Sequence, residues 1–223
     1  MNAAAQSSMA LIFDMDGVIV DSNPVHTESW RQFNSRYGVE TTDAMIERMY
    51  GRRNDEIVRD FFGPELSAKE LAARGRAKEA LFREMIADRI EEILVPGLRT
   101  FLEELRDLPM AVASNAEPEN VDFLLDRAGL RRYFRAVVHG GLVRRPKPYP
   151  DIYFLAAQLL GVPARDCVVF EDSPSGAAAA AAAGMEVIGI RTTYVNLPQA
   201  VLTIDNFLSG ELHSWLQAKL GLA

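Results

Sequence analysis

Short apolar runs alternate with helical stripes along most of this 223-residue chain. Five apolar runs predict β-strands at residues 10–13, 110–113, 136–138, 167–170 and 186–190. Between them, residues 96–108 and 119–129 place apolar side chains at the spacing of one helix face, which predicts crossover helices. Strands that alternate with helices are typical of βαβ units. The pattern therefore predicts an α/β fold with a doubly wound, mostly parallel sheet.

One long interval interrupts this alternation. Residues 23–94 contain helical stripes but no convincing strand. We therefore predict an α-helical cap subdomain over residues 23–94, inserted into a catalytic core that is formed by residues 9–22 and 95–223. Residues 1–8 carry neither the basic flank nor the apolar run of a signal peptide, and we predict that they form a disordered leader.

Three start signals support helices in this interval. Asn23 followed by Pro24 predicts a capped helix with proline in its first turn. Asn54 is predicted to cap a second helix. The segment "SAKE", from Ser67 to Glu70, has the spacing of a capping box and predicts the start of a third, longer helix.

Charge and cysteine content narrow the function classes. With 24 Lys and Arg against 31 Asp and Glu, the formal net charge is −7, which argues against a nucleic-acid binder that relies on a basic surface. A small anionic substrate stays possible, because a bound cation can reverse the local field. No apolar run reaches the roughly 18 residues of a membrane span. Cys167 is the only cysteine, so no intramolecular disulfide can form, and we expect a cytoplasmic monomer.

Polar side chains cluster where the predicted strands end, or in the loops that follow. These residues are Asp14 and Asp16, Ser114 and Asn115, Lys147, and Glu171 and Asp172. In an open parallel sheet, ligands bind outside the carboxyl ends of the strands, where loops from several strands converge. We therefore expect residues that are far apart in sequence to form one site.

The residue types in this cluster predict its chemistry. Several carboxylates in one place repel each other and are driven toward protonation unless a cation lies among them. Oxygen ligands without a His or Cys cluster favour Mg²⁺ over Zn²⁺. A magnesium site of this kind indicates a phosphorylated substrate.

Four segments, in this order, carry a family resemblance. "DMDGVIVDS", the serine of "AVASN", the lysine of "PKPYPD" and "FEDSPSG" resemble the four motifs of the haloacid dehalogenase superfamily. The resemblance is strongest to its phosphatase and β-phosphoglucomutase-like branch, which carries a helical cap after the first motif. It covers about residues 10–190. It implies a Rossmann-like core, a mobile cap, magnesium, and transfer of a phosphoryl group to an aspartate.

The resemblance also implies catalytic roles for individual residues. Asp14 would be the nucleophile that forms an aspartyl phosphate, which divides a difficult hydrolysis into two easier steps. Asp16 would protonate the leaving oxygen and then deprotonate the attacking water. Ser114 and Lys147 would bind and stabilise the transferring phosphoryl group, and Asn115 is a further candidate for phosphate binding.

The same resemblance implies a set of metal ligands. They are a carboxylate oxygen of Asp14, the backbone carbonyl of Asp16 and the carboxylate of Asp172. Glu171 would be a further ligand, either direct or through water.

Substrate selection is expected to lie in the cap. His26, Arg52 and Arg53 could reach a substrate beneath it, although a surface histidine and two solvated arginines are equally compatible with the sequence. A sugar phosphate, phosphoglycolate and a nucleotide monophosphate would leave the same core motifs. We expect a small phosphorylated metabolite, with a sugar phosphate as the leading candidate.

Two other functions compete with a phosphatase. One is a phosphomutase, whose cap loop resembles G-V-S-R with a phosphate-binding arginine. Here the loop from Gly51 reads "GRRN", which places Asn54 at the arginine position and favours hydrolysis, although Arg52 or Arg53 could supply the charge. The other is a receiver-like phosphoacceptor module, which requires neither a helical insertion nor a general acid two residues after the acceptor.

Overall fold

One parallel β-sheet organises the protein. The computed structural model describes residues 9–50, 52–194 and 196–221. The strands are β1 (Ala10–Phe13), β2 (Met110–Ser114), β3 (Ala136–His139), β4 (Cys167–Glu171), β5 (Glu186–Ile190) and β6 (Ala200–Ile204). Every neighbouring pair is parallel, and the order across the sheet is β3-β2-β1-β4-β5-β6. This confirms the predicted α/β class with a doubly wound, Rossmann-like sheet.

The five predicted strands agree with the observed ones to within one residue at each end, and β6 lies outside the predicted set. β1 pairs with β2 on one side and with β4 on the other, so that Leu11 lies opposite both Met110 and Val168. The strand order therefore reverses beside β1. Ligands of doubly wound sheets bind in the crevice at such a reversal.

Helices cover the sheet and form the insertion. Among the described residues they are α1 (Asn23–Ser35), α2 (Asp43–Met49), α3 (Asn54–Phe62), α4 (Ala68–Ile86), α5 (Ile90–Ile93), α6 (Leu98–Glu104), α7 (Pro118–Arg127), α8 (Asp151–Leu160), α9 (Pro174–Ala182) and α10 (Gly210–Leu220). None of them is long and apolar enough to cross a membrane.

The strand sequences explain why both faces of the sheet are covered. Side chains alternate between the two faces of a strand. In β1, Leu11 and Phe13 belong to one hydrophobic cluster, whereas Ala10 and Ile12 belong to the other. All four are fully buried, as is typical of strands in a parallel sheet.

Helices α1–α5 lie between β1 and α6 along the chain, and we call them the cap helices. Helices α1–α4 contribute to a hydrophobic cluster of their own, which includes Trp30, Phe33, Ile46 and Val58. An isolated antiparallel bridge between Val20 and Leu94 brings the two ends of this segment together. The predicted subdomain limits stay predictions, and the predicted leader and Gly51 lie outside the described residues.

The structure confirms one predicted helix start and corrects two. The Ser67 hydroxyl and the Glu70 carboxylate form the capping box that begins α4. The prediction that Asn23 and Asn54 are N-caps is wrong. Each is the first residue of its helix, and the flanking Ser22 and Arg53 make no side-chain cap bond. Both asparagine amides bind elsewhere, because carboxylate acceptors lie within their reach.

Candidate active site

A cavity of about 330 Å³ lies between the cap helices and the carboxyl edge of the sheet. The predicted site residues that line it are Asp14, Asp16, His26, Arg52, Arg53, Ser114, Asn115, Lys147 and Asp172. Glu171 lies beneath this surface and is fully buried. The predicted residues therefore lie together around one cavity, whose floor is formed by the ends of β1, β2 and β4.

Lys147 bridges two carboxylates of the floor. Its Nζ donates to Asp14 Oδ1 at 2.8 Å and to Glu171 Oε1 at 2.6 Å. Burial alone would lower the pKa of Lys147, but the two carboxylates outweigh burial and raise it above its ordinary value. The lysine therefore stays charged at the edge of the sheet.

Both oxygens of Glu171 are bound within the protein. Oε1 accepts from Lys147 and from the Tyr153 hydroxyl, at 2.7 Å. Oε2 accepts from the backbone N–H groups of Asp172 and Ser173 and from the Ser173 hydroxyl, each at 3.0 Å. Glu171 therefore orients Lys147 and the start of α9. Its role as a metal ligand stays a prediction.

Two glycines allow the backbone to approach these carboxylates. Gly17 has a φ of +78°, and a Cβ there would lie 1.9 Å from Asp172 Oδ2. A Cβ at Gly176, in the first turn of α9, would lie 1.7 Å from Glu171 Oε1. Any side chain at either position would displace a carboxylate of the site, which explains the glycines in "DMDG" and "EDSPSG".

The floor suits a divalent cation. Asp14, Glu171 and Asp172 each offer one carboxylate oxygen within 4.8 Å of the others. Burial raises the pKa of Asp14 to about 7, although Lys147 opposes the rise. Burial, followed by the charges of Glu171 and Asp14, raises the pKa of Asp172 well above its usual range. One lysine does not balance three carboxylates, so a hard divalent metal fits this donor set.

The second aspartate of the first motif has a different environment. Asp16 Oδ1 accepts from the Ser22 hydroxyl at 2.5 Å and lies 3.4 Å from His26 Nε2. Burial would raise the pKa of Asp16, but its bonds to His26 and Ser22 outweigh burial and hold the pKa below its usual value. The pKa values of Asp14 and Asp16, two residues apart, are thus shifted in opposite directions.

His26 contacts a buried ion pair of the cap helices, formed by Lys78 and Glu79. Its Nδ1 lies 2.6 Å from Lys78 Nζ, and its ring stacks on Phe82 with centroids 3.8 Å apart. Lys78 lies 2.9 Å from Glu79 Oε1, and both side chains are almost fully buried. His26 is therefore a cavity residue and not a surface one.

Lys78 and Glu79 are absent from the sequence-based site, although one signal for Lys78 exists. Lys78 follows Leu71 by seven residues and precedes Phe82 by four, so it lies on the buried stripe of α4. A charged residue at such a position indicates a buried partner or a functional site. Glu79 carries no comparable signal, because its neighbours in sequence do not identify its partners.

Glu79 is the centre of a network that joins the cap helices to the core. Its Oε1 also accepts from Asn54 Nδ2 at 2.8 Å, and its Oε2 accepts from Asn120 Nδ2, in α7, at 2.5 Å. Asn54 Nδ2 in addition lies 3.2 Å from Glu117 Oε1, just before α7. Burial would raise the pKa of Glu79, but the Lys78 charge and these bonds lower it to about 2.

The two predicted cap arginines line the cavity with acidic partners of their own. Arg52 lies 3.5 Å from Glu56 and 3.2 Å from Asp60. Arg53 lies 3.4 Å from Asp55. Contact of either arginine with substrate stays a prediction.

Asp172 has two further neighbours that the sequence analysis does not identify. The Thr193 hydroxyl donates to Asp172 Oδ2, and Asn23 Nδ2 lies 3.5 Å from the same oxygen. Asn23 also donates to Thr193. The start of α1 is therefore bound directly to the carboxylate floor.

Comparison with known proteins agrees with this geometry. Fructose-1-phosphate phosphatase YqaB of Escherichia coli (strain K12) is 35% identical over 181 residues, which cover 81% of this chain and 95% of that protein. Beta-phosphoglucomutase of Bacillus subtilis (strain 168) is 29% identical over 189 residues, which cover 81% of this chain and 82% of that protein.

The fold is shared with solved structures. The crystal structure of beta-phosphoglucomutase from Clostridium difficile superposes with a TM-score of 0.83 at 24% identity, and covers 95% of this chain and 96% of its own. The model of the family described as haloacid dehalogenase-like hydrolase matches residues 9–184. The predicted site residues all lie within this range, and the chain belongs to the haloacid dehalogenase-like hydrolase family.

Proposed function

We propose that this protein is a magnesium-dependent phosphatase that hydrolyses a small phosphorylated metabolite, with a sugar phosphate as the expected substrate. The observation that carries the proposal is the placement of Asp14. It is a cavity carboxylate held 2.8 Å from the Lys147 ammonium, at the edge where three strands end. The likeness to a fructose-1-phosphate phosphatase supports the substrate class.

Asp14 is the proposed nucleophile. One of its carboxylate oxygens forms a bond to phosphorus as the bond from phosphorus to the leaving oxygen breaks, which gives an aspartyl phosphate. Water then attacks that phosphorus, releases inorganic phosphate and regenerates the Asp14 carboxylate. Lys147 orients the attacking oxygen and balances part of the phosphoryl charge.

Asp16 is the proposed proton-transfer group. It donates a proton to the leaving oxygen in the first step and takes one from water in the second. Its pKa lies below the usual range, so the base form prevails in the free protein, and the acid step requires a proton to be taken up with substrate. His26 Nε2 lies 3.4 Å from Asp16 Oδ1 and favours the charged form of that carboxylate.

The phosphate site is proposed to consist of Ser114, Asn115 and Lys147. Ser114 Oγ accepts from the Ala116 N–H at 3.1 Å, so that its hydroxyl proton can be donated to a phosphate oxygen. Asn115 Oδ1 accepts from the Lys147 N–H at 3.2 Å and thus aligns the two loops.

Magnesium would be held by the carboxylates of Asp14 and Asp172, with the Asp16 carbonyl and Glu171 as further candidates. When bound, it supplies positive charge that stabilises the transferring phosphoryl group. The need for this charge stabilisation is large. Phosphate-monoester hydrolysis can require acceleration of up to ~10²¹, whereas general acid–base catalysis supplies only about 10² to 10⁴.

A panel of phosphorylated metabolites tests the proposal. Purified protein is incubated with each compound in Mg²⁺ and, in parallel, in excess EDTA, and inorganic phosphate is measured. We expect Mg²⁺-dependent release from sugar monophosphates. Absence of release from every compound would contradict the proposed function.

The phosphomutase alternative keeps support from the likeness to beta-phosphoglucomutase. A separate assay offers β-glucose 1-phosphate with a trace of glucose 1,6-bisphosphate, and follows inorganic phosphate and glucose 6-phosphate together. We expect phosphate to accumulate. Rapid formation of glucose 6-phosphate with little phosphate would instead establish the mutase.

A further inference from the structure

We propose that Glu79, Glu117 and Asn54 form an acidic wall that selects phosphomonoesters with an uncharged polyhydroxyl leaving group, and rejects leaving groups that carry a second phosphate or a carboxylate. The proposal rests on the phosphatase function and specifies the substrate class of the same site. All three residues line the cavity that contains Asp14 and Lys147.

The wall is continuous across two parts of the chain. Asn54 begins α3, Glu79 lies within α4, and Glu117 precedes α7 in the core. The Asn54 amide bridges the two carboxylates, at 2.8 Å from Glu79 Oε1 and 3.2 Å from Glu117 Oε1. Lys78 balances the charge of Glu79, and the Asn54 amide is neutral, so the net negative charge of the wall comes from Glu117.

The cations that line the cavity do not compensate for the repulsion between this wall and an anionic ligand. Each cavity-lining Lys or Arg of the described residues already has a carboxylate within 4 Å: Lys147 has Asp14 and Glu171, Lys78 has Glu79, Arg52 has Glu56 and Asp60, and Arg53 has Asp55. A second phosphate would have to compete with these carboxylates for the cations.

Glu117 is the member with no cation partner. Among the described residues it forms no ion pair within 4.0 Å, and its carboxylate accepts from the Asn54 amide. It is half-buried, and burial raises its pKa. A like charge placed beside it is unfavourable, because like charges that face each other across an interface repel.

Hydroxyl groups, in contrast, match this surface. Carboxylate oxygens accept hydrogen bonds from hydroxyls and have up to four acceptor positions, of which Glu117 uses one here. A cavity of about 330 Å³ is within the range of sites for small ligands. A sugar or polyol phosphate can thus place its phosphate on the floor and its hydroxyls on the wall.

The test compares matched pairs of esters. One pair is glycerol 1-phosphate and 3-phosphoglycerate, which differ at the end remote from the phosphate by a hydroxymethyl group against a carboxylate. The second pair is fructose 1-phosphate and fructose 1,6-bisphosphate. For each pair, the ratio of kcat/KM for the uncharged member to that for the charged member is measured in Mg²⁺.

We expect wild-type protein to prefer the uncharged member of each pair, and Glu117→Gln to reduce the ratio by about tenfold, through loss of one facing like charge. Glu119→Gln is the matched control, because Glu119 is exposed and does not line the cavity. Glu79→Gln, with exposed Glu84→Gln on the same helix as its control, extends the test to the second acid.

Equal kcat/KM values for the two members of each pair in the wild type would overturn the acidic wall and leave the phosphatase function intact. The acidic wall would also be overturned if Glu117→Gln changed the kcat/KM ratio no more than the control Glu119→Gln does. Glu117→Gln keeps the proposal testable if Glu79→Gln fails to fold, because Glu117 is half-buried and forms no ion pair within 4.0 Å in the described part of the chain. No hydrolysis of any ester would overturn the proposed function together with the wall.

Discussion

Asp14 on the floor and Glu79 in the cap are buried acids of the same cavity, and their pKa values move in opposite directions. On the floor, Asp14, Glu171 and Asp172 share Lys147, and burial raises the pKa of Asp14 to about 7. In the cap, Lys78 and the hydrogen bonds around Glu79 outweigh burial and lower its pKa to about 2.

The difference teaches that burial does not by itself decide the state of an acid. The cap acid has one cation and two amide donors, so its charge is satisfied within the protein. The floor acids outnumber their cation and gain from a metal ion. The floor carboxylates, whose charge is not balanced within the protein, are suited to metal binding and catalysis. Glu79, whose charge is balanced, is suited to stability and substrate recognition.

The largest expected effect comes from Asp14→Asn, which removes the charge of the nucleophile and preserves its shape. We expect kcat to fall by at least ~10⁴-fold, since loss of a nucleophile removes the covalent route. Phosphate release from the best substrate of the panel measures it. Asp21→Asn, in the same segment but outside the cavity, is the control. Near wild-type activity in Asp14→Asn would contradict the aspartyl-phosphate mechanism.

Asp16→Asn is expected to have the next largest effect, and the effect depends on the leaving group. First-step rates for an alkyl phosphate should fall by about 10² to 10⁴-fold, because its alkoxide needs protonation. An aryl phosphate with a good leaving group should lose much less. Single-turnover kinetics compare the two esters, and equal losses would show that Asp16 is not the acid.

In the cap, Glu79→Gln is expected to destabilise the fold by about 3 kcal/mol, from a pKa that falls from 4.5 to about 2 at 1.36 kcal/mol per unit. Because the folded pKa is the lower one, this contribution is fully present above pH 4.5 and is lost as the pH falls toward 2. Urea unfolding at pH 7 and pH 3 measures it. Glu84→Gln, exposed on the same helix, should change stability little, and equal effects of the two variants would contradict a satisfied buried charge.

On the floor, Mg²⁺ is expected to stabilise the protein by about 2.7 kcal/mol at a hundredfold excess over its Kd, which raises Tm by about 5–10 °C. Asp14 titrates near pH 7, so protons compete with the metal below that pH. Without metal, the raised pKa makes the contribution of Asp14 to stability fall as pH rises from 3.8 to about 7. The Mg²⁺-induced rise in Tm should therefore be larger at pH 8 than at pH 6.

Asp172→Asn tests whether that stabilisation comes from the floor. We expect it to weaken the Mg²⁺ effect on Tm, whereas Glu84→Gln should leave it unchanged. A Tm that responds equally to Mg²⁺ in wild type and in Asp172→Asn would contradict a metal site at this position.

The sequence by itself was sufficient to predict five strands of the sheet and the residues that lie on the floor of the site. Parallel strands buried on both faces read as short apolar runs, and their carboxyl ends share one edge, so Asp14, Ser114 and Glu171 could be brought together without coordinates. β6 lay outside the prediction. Within the described ranges it pairs only with β5, and its Val201 is 54% exposed, so its apolar pattern has a weaker relation to the core.

Only the tertiary structure decided the partners of the cap residues. Lys78 lies on the buried stripe of α4, which indicates burial but not its partner. Glu79 looks like an ordinary charge of a long helix, and Asn54 has the pattern of a helix cap, because local sequence contains no information on what packs across from them. Their roles depend on contacts between segments 25 or more residues apart, such as Asn54 with Glu79 and Glu117. A polar side chain brought out of water binds the strongest partner within reach, and folding alone determines which partner that is.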